Sequence, residues 1–260
     1  MTPDQIDFSV DYQMIKNAEK MLIGNRQVTP KQAFNWIHSP VKELWERSVI
    51  GGVGSILSFL PSRLFMGRVY LQDGFPVSYD LKVGFLGNKN QIIGLTDSPK
   101  IRTLRTGVAQ LEEPFESSAF LGSRKRAPAK ELRTFSPYAN WLRNTRLDEL
   151  PQFKIIRTGK MAGIGVRGWT IKEISDLKKV FADNSNSLPD YLREDYQREI
   201  SSSELKPAAV SLQSATLGKD LTVSERMLLD LLYIKSANFV GDWMIVLATV
   251  KTHLKGTGVR

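Results

Sequence analysis

Asp148 and Glu149 stand side by side in the string RNTRLDELPQ, Arg143 to Gln152, with Arg143 and Arg146 just ahead of them. Neighbouring residues on a helix point about 100° apart, so one carboxylate can face a substrate while the other holds a cation in front of it. That division of labour suits phosphoryl chemistry. A carboxylate attacks an anionic phosphate only when a divalent metal and cationic side chains neutralise the phosphate oxygens, and Glu149, Arg143 and Arg146 are the groups to supply this. The same residues also read as an ordinary helix start. Thr145, three residues before Asp148, fits a capping box, the acids lie at the positive end of the helix, and the arginines are solvated. Spacing alone leaves both readings open.

The elements that must position this pair are those of an α+β chain, mainly helical with a small β element. From Phe75 to Leu95, short apolar runs alternate with Gly74, Gly84, Gly87 and Gly94, the pattern of strands and turns, and 86–98 reads as an extra loop or hairpin. Thr170 to Phe181 reads as a helix, as does Ser187 to Ile200, with Leu188, Tyr191, Leu192 and Tyr196 on one face. Val223 to Lys235 is a further helix, where Asp230 is either a surface acid or a third carboxylate of the site. The string GIGVRG, Gly163 to Gly168, fits a dinucleotide-binding pattern, but the helix after it leads to Ala182-Asp-Asn-Ser-Asn186, a loop where a second strand is required. It is a chance match. Residues 1–39 form a weakly amphipathic lead-in, with Tyr12, Ile15, Ala18 and Leu22 at helical spacing and Thr29-Pro30 as the cap and first turn of a short helix.

The chain has 260 residues, enough for a sizeable core, and carries 36 Lys and Arg against 27 Asp and Glu. A net charge of +9 favours anionic partners: acidic lipid head groups, phosphorylated substrates or nucleic acid. With no cysteine, disulfides, thiolate metal sites and a cysteine nucleophile are excluded. The two histidines, His38 and His253, are too far apart in sequence to suggest a metal cluster. The polar, acidic start lacks the features of a signal peptide, and the expected location is the cytoplasm or a membrane facing it. The basic run SRKRAPAK, Ser123 to Lys130, reads as a surface loop that also suits anionic lipids. No aromatic residues interleave its cations as a stacking platform, so nucleic acid is not expected as a partner.

SVIGGVGSILSFLPS runs 15 residues from Ser48 to Ser62 without a charged side chain. A straight span needs about 20 apolar residues, so this run is either a buried core helix or a segment that re-enters the face it left. Lys42 and Arg47 before it, and Arg63 and Arg68 after it, offer cations to one interface at both ends. Pro61 lacks an amide donor and would break the helix where a hairpin needs to turn. Near the C-terminus, WMIVLATV from Trp243 to Val250 is followed by Lys251, His253, Lys255 and Arg260. That profile fits an interfacial helix, and a plain core helix nearly as well.

LDELPQ, a GKM-x-x-x-G-x-R segment from Gly159 to Arg167 and DLLYIK from Asp230 to Lys235 occur in that order, and together the chain resembles the monotopic phosphoglycosyl transferases, the bacterial sugar transferase family. The likeness begins near Pro40. It implies an N-terminal extension, 1–39, and a transferase domain, 40–260, made of a re-entrant membrane helix at 48–68 and a cytoplasmic catalytic part, 69–260. Phe59, Leu60 and Pro61 would be the membrane-insertion positions. The resemblance further implies that Asp148 attacks the sugar-linked phosphate of a UDP-sugar, that UMP leaves, and that a membrane polyprenol phosphate takes the phosphosugar. Mg²⁺ would sit on Glu149 and Asp230, and Arg105, Arg143 and Arg167 would grip phosphate. Several positions depart from the family pattern. Asp80 and Lys82 replace a Gln and an Arg, Thr103 stands where a lysine is usual, Val166 and Gly168 replace two prolines around Arg167, and Ser211-Leu-Gln213 lacks a Gly and a Trp. A catalytically impaired scaffold of the same fold would tolerate these changes, and a basic nucleic-acid-binding protein would need the apolar run to be core.

Overall fold

A computed structural model describes residues 10–24, 26–103, 136–182, 188–216 and 221–254. Arg105 and the basic run Ser123 to Lys130 lie outside the described residues. Helix α1, Tyr12–Ile23, is capped by Asp11, and α2, Pro30–Ile37, by a capping box of Thr29 and Gln32. A continuous helix follows, α3, Pro40–Asp73. Strands β1, Ser78–Leu86, and β2, Ile92–Ile101, form an antiparallel hairpin. Then come α4, Pro137–Asn144, a short 3₁₀ turn Leu147–Glu149, and α5, Gln152–Arg157. Strands β3, Ala162–Gly165, and β4, Trp169–Thr170, precede α6, Ile171–Ala182, and α7, Asp190–Ser202. Strand β5, Ala208–Ser211, leads into α8, Leu212–Ala215, α9, Val223–Ser236, and α10, Phe239–Leu254. The fold is therefore mostly helical with a small β part: a three-stranded antiparallel sheet ordered β2-β1-β4, and a parallel pair, β3 and β5.

The main core gathers one face of almost every helix. Met14, Ala18 and Leu22 of α1 pack with Ile174 and Leu177 of α6, Leu192, Tyr196 and Ile200 of α7, and Met227, Leu229 and Tyr233 of α9. The lead-in helix therefore shares the core of the parts that follow it, and Asp11 ties it to α9 by donating its backbone N–H to Glu225 at 2.8 Å. The segment Gly163 to Gly168 passes from β3 to a second strand, β4, before α6 begins, which is not the strand-to-helix turn of a dinucleotide fold.

Helix α3 departs from expectation at two points. It does not end at Pro61, because the α-helical part Gly54–Asp73 runs through that residue. Proline removes a single backbone donor there, a loss a helix can absorb when the turns on both sides are held. They are held: Val69 beyond the proline is fully buried against Ile101 and Leu142, and Glu46 before it accepts the backbone N–H groups of Gly163 and Ile164, each at 3.1 Å. The stretch Glu46–Val53 is π-helical. Lys42 is not an interfacial cation either. It is buried, pairing with Glu46 at 2.7 Å and Asp242 at 2.5 Å and donating to the Ile164 carbonyl. Asp242 also accepts from Trp36 and Tyr233, so the network joins α2, α3, β3, α9 and α10.

Along α3, Ile56, Leu57, Phe59, Leu60, Leu64 and Leu71 are exposed, as are Trp243, Met244, Leu247 and Val250 on α10. A helix this long and this apolar, with its outer face uncovered, fits association with a membrane. Both candidate insertion side chains, Phe59 and Leu60, are on that face, and Pro61 is half-buried beside them.

Candidate active site

The acidic pair is presented by a turn, not by the first turn of a helix. Thr145 does not cap the residues after it. Its Oγ1 donates to the carbonyls of Trp141 at 2.8 Å and Leu142 at 3.2 Å, closing α4 from its C-terminal end. Arg146 then takes a left-handed backbone, φ 58°, which reverses the chain into the 3₁₀ turn Leu147–Glu149. In such a turn successive side chains diverge by about 120°, so Asp148 and Glu149 still face different surroundings. Leu147 fixes the turn by packing against the cluster of Val69, Ile101 and Leu142.

Those surroundings push the two carboxyls apart. Asp148 is 4 % exposed, and its Oδ1 has no hydrogen-bond partner. Burial first, then the charge of Glu149, raise its pKa to about 6, against the pull of Lys100, Arg146 and Arg143. Glu149 is driven the other way. Although burial opposes ionisation, Lys100, Arg146 and Arg167 outweigh it and hold the carboxyl well below the usual range. Lys100 Nζ lies 2.8 Å from Glu149 Oε1, and Arg146 Nη1 lies 3.1 Å from the same oxygen. One acid is thus held ionised by direct cations while its neighbour keeps an unsatisfied oxygen.

Arg167 follows β3 and links this pair to a second charged group. Burial pulls its own pKa down to about 10, Arg146 and Arg226 acting in the same direction and Glu149 and Glu173 opposing. Arg226 of α9 lies 3.7 Å above the ring of Trp169, pairs with Glu173 at 3.2 Å and donates to Gln213 Oε1 at 3.3 Å. Gln213 Nε2 donates to Asp230 Oδ1 at 2.7 Å. Asp230 is buried, and burial raises its pKa to about 7, the Gln213 hydrogen bond and the charges of Arg226 and Arg167 only partly offsetting the effect. The backbone at Gly168 is crowded, since a Cβ there would lie 2.8 Å from Pro207 Cβ and 3.2 Å from Val83 Cβ. The turn carrying Arg167 thus owes its path to glycine, where the resemblance expects proline.

Of the expected residues, Asp148, Glu149, Arg143 and Arg167 share one electrostatic neighbourhood. Among the described residues, Asp230 adjoins it through Arg167 and Arg226. Among the described residues, no three acidic or histidine side chains come together in a way that could hold a metal. A cage made wholly of protein ligands is therefore not what the pair offers. Mg²⁺ is commonly held by one or two carboxylates and completed by substrate phosphates and water. Asp148 Oδ1 is unpartnered and both bonds to Glu149 end on Oε1, so each side chain keeps an oxygen for such a cation.

Sequence reasoning missed four contributors: Lys100, Trp169, Gln213 and Arg226. Lys100 is the most telling. Thr103, where the resemblance expects a lysine, is fully buried with its hydroxyl unpartnered, while Lys100 three positions earlier pairs with Glu149. Arg102 in the same stretch is structural, bound to Asp73 and to the carbonyl of Gly74 at 2.9 Å.

An exposed apolar helix beside a carboxylate pair ringed by cations suits an enzyme handling phosphorylated substrates near lipid. The family model described as bacterial sugar transferase matches residues 40–256, and the chain belongs to that family. Its members are sugar-phosphate transferases associated with membranes, and they take a sugar-nucleotide donor and a lipid-linked acceptor. No curated protein matches the chain.

Proposed function

We propose that the protein transfers a phosphosugar from a UDP-sugar to a polyprenol phosphate at the cytoplasmic face of a bacterial inner membrane, as the initiating step of a glycoconjugate such as an exopolysaccharide. Asp148 is the nucleophile. Its carboxylate oxygen bonds to the sugar-linked phosphorus while the bond from that phosphorus to the bridging oxygen breaks, and UMP leaves with the electron pair. A phosphate oxygen of the polyprenol phosphate then attacks the same phosphorus, giving polyprenyl diphosphate sugar and restoring the carboxylate. Arg143, Arg146 and Arg167 offset phosphate charge that would otherwise repel Asp148, and Lys100 keeps Glu149 ionised throughout. When bound, Mg²⁺ would neutralise the diphosphate oxygens, with Glu149 and the free oxygen of Asp148 as its protein ligands. Asp230 holds Gln213, and through it Arg226, beside Arg167, a supporting position.

The observation that carries this reading is the split of the acidic pair. A nucleophile needs an available lone pair near neutral pH, which a buried carboxyl titrating near 6 provides, while its neighbour stays anionic to bind a cation. The membrane dip belongs to the same reading. Both ends of α3 are fastened to one folded body, at Lys42 and at Val69, which supports entry and exit on a single face over a span of the bilayer. The test is UMP release from a panel of UDP-sugars with polyprenol phosphate and Mg²⁺, together with intact mass of the protein after donor alone. An increment of one phosphosugar on Asp148 supports the reading. Neither UMP nor increment from any donor would reduce the protein to a scaffold of this fold.

A further inference from the structure

Where α3 passes α4, a surface pocket of about 450 Å³ is lined by Leu64, Phe65, Arg68, Tyr138 and Trp141. Its three aromatic rings pack on one another: Tyr138 and Trp141 stack at 5.8 Å, and Phe65 meets Trp141 edge-on at 5.9 Å. Arg68 stands in this apolar setting with its guanidinium 4.2 Å from the centre of the Tyr138 ring. Among the described residues it has neither an acidic partner nor a hydrogen bond. An unpaired guanidinium on an aromatic wall is a binding position for an anion whose remaining surface is apolar.

Two further observations define that anion. Leu57, Leu60, Leu64 and Arg68 follow one another at steps of three and four residues, hence along one face of α3, and all four are exposed. The stripe is an apolar track that leaves the membrane-facing segment and ends on a cation. The pocket also connects inward. Phe65 and Tyr138 pack against the small core of Val69, Ile101 and Leu142, which also holds Leu147, the residue before Asp148. An amphiphile that lies along the track with its head at Arg68 is therefore delivered to the wall that carries the nucleophile.

We propose that this pocket docks the isoprenoid acceptor, with Leu64, Phe65, Tyr138 and Trp141 holding its first isoprene units and Arg68 pairing with its single phosphate. The proposal rests on the transferase reading for the identity of the amphiphile. It adds where the acceptor sits, and it separates the acceptor's contacts from the donor's cations at Arg143, Arg146 and Arg167.

The full chain in lipid nanodiscs allows two independent readouts. For binding, a polyprenyl monophosphate carrying a diazirine near its head is photolysed with the wild-type protein. Label should fall on the peptides containing Leu64 to Arg68 and Tyr138 to Trp141, and unlabelled polyprenyl phosphate should displace it whereas phosphatidylglycerol should not. Label elsewhere, or equal displacement by phosphatidylglycerol, overturns the proposal, the latter making the pocket a general lipid head-group site. For kinetics, Arg68→Gln and Trp141→Ala should give the same burst of UMP from donor alone as wild type, which also shows that they fold. Their KM for polyprenol phosphate should rise about tenfold or more, and Arg68→Lys should recover only part of the Arg68→Gln loss, since the charge remains while the planar group stacked on Tyr138 is gone. An unchanged KM, or a smaller burst with unchanged KM, overturns it. Specific labelling without any UMP burst from the wild type would leave the docking site standing and remove the transfer reaction instead.

Discussion

At the scale of single residues, Asp148 and Glu149 should respond to substitution with opposite signs. Asp148 titrates near 6 in the folded chain, above its ordinary 3.8. Its stabilising contribution is complete below the ordinary value and is lost as pH rises through 6, so at pH 7.5 the buried charge opposes folding. Two pKa units correspond to roughly 3 kcal/mol, and Asp148→Asn should recover about 1–3 kcal/mol in denaturant melts at pH 7.5 while abolishing the phosphosugar adduct. A variant that is inactive because it is less stable would contradict the assignment. Donor-half activity of the wild type should fall as pH drops through about 6, where Asp148 protonates and loses its attacking lone pair. Glu149 has the reverse linkage. Its depressed pKa stabilises the fold above the ordinary carboxylate value, and that contribution fades only as pH falls below it. Glu149→Gln leaves Lys100 and Arg146 without a counter-charge and should cost about 1–3 kcal/mol at neutral pH, measured in the same melts. The pair itself was legible as a string. Its cations were only half legible, since Arg143, Arg146 and Arg167 lie in recognisable segments while Lys100 meets Glu149 across 49 residues by strand geometry alone.

Elements show where reading a sequence stops for physical reasons. The helices at Val223 and Thr170 and the hairpin after Phe75 follow from periodicity and glycine punctuation, and the structure builds all three. Thr145 misled because Thr-x-x-Asp fits a helix start as well as it fits a back-bond into a helix end, and only the left-handed backbone at Arg146 decides between them. Pro61 misled because propensity is local, whereas the turns around it are held by contacts with β3 and with Ile101. Gly51 was read only as part of an uncharged run, yet it is a contact point. A Cβ there would lie 2.4 Å from the backbone nitrogen of Arg157 and 2.7 Å from its Cα, neither of which can move like a side chain. Gly51→Ala should therefore push α3 away from α5 and cost about 1–3 kcal/mol, read as a lower midpoint of thermal unfolding in detergent. Gly67, on the same helix with open space around it, is the control, and Gly67→Ala should be neutral or mildly stabilising.

For the whole molecule, the decisive fact is that α3 begins and ends in one body. Its 34 residues would measure about 50 Å if straight, longer than the roughly 30 Å of a hydrocarbon core, so length alone permits a span. A span would put Lys42 and Val69 on opposite sides of the bilayer. Yet Lys42 is locked to Asp242 of α10, Val69 to Ile101 and Leu142, and Gly54 sits against the ring of Phe153 midway between them. Tearing either end away would strand buried charges or open a small core, each a loss of several kcal/mol. The anchored ends of α3, with Leu57, Leu60 and Leu64 exposed between them, support the proposed entry into a membrane from one side. Because the chain has no cysteine, single cysteines report this without background. Lys42 is unsuitable as a labelling position since it is buried, but Glu43 and Leu71 are exposed near the two ends of the helix. In inside-out vesicles, Glu43→Cys and Leu71→Cys should both react with a membrane-impermeant maleimide, and in intact cells neither should. Reaction of one in vesicles and the other in cells would mean a true span, and the buried contacts at one end of α3 would then have to be absent in the membrane-bound protein.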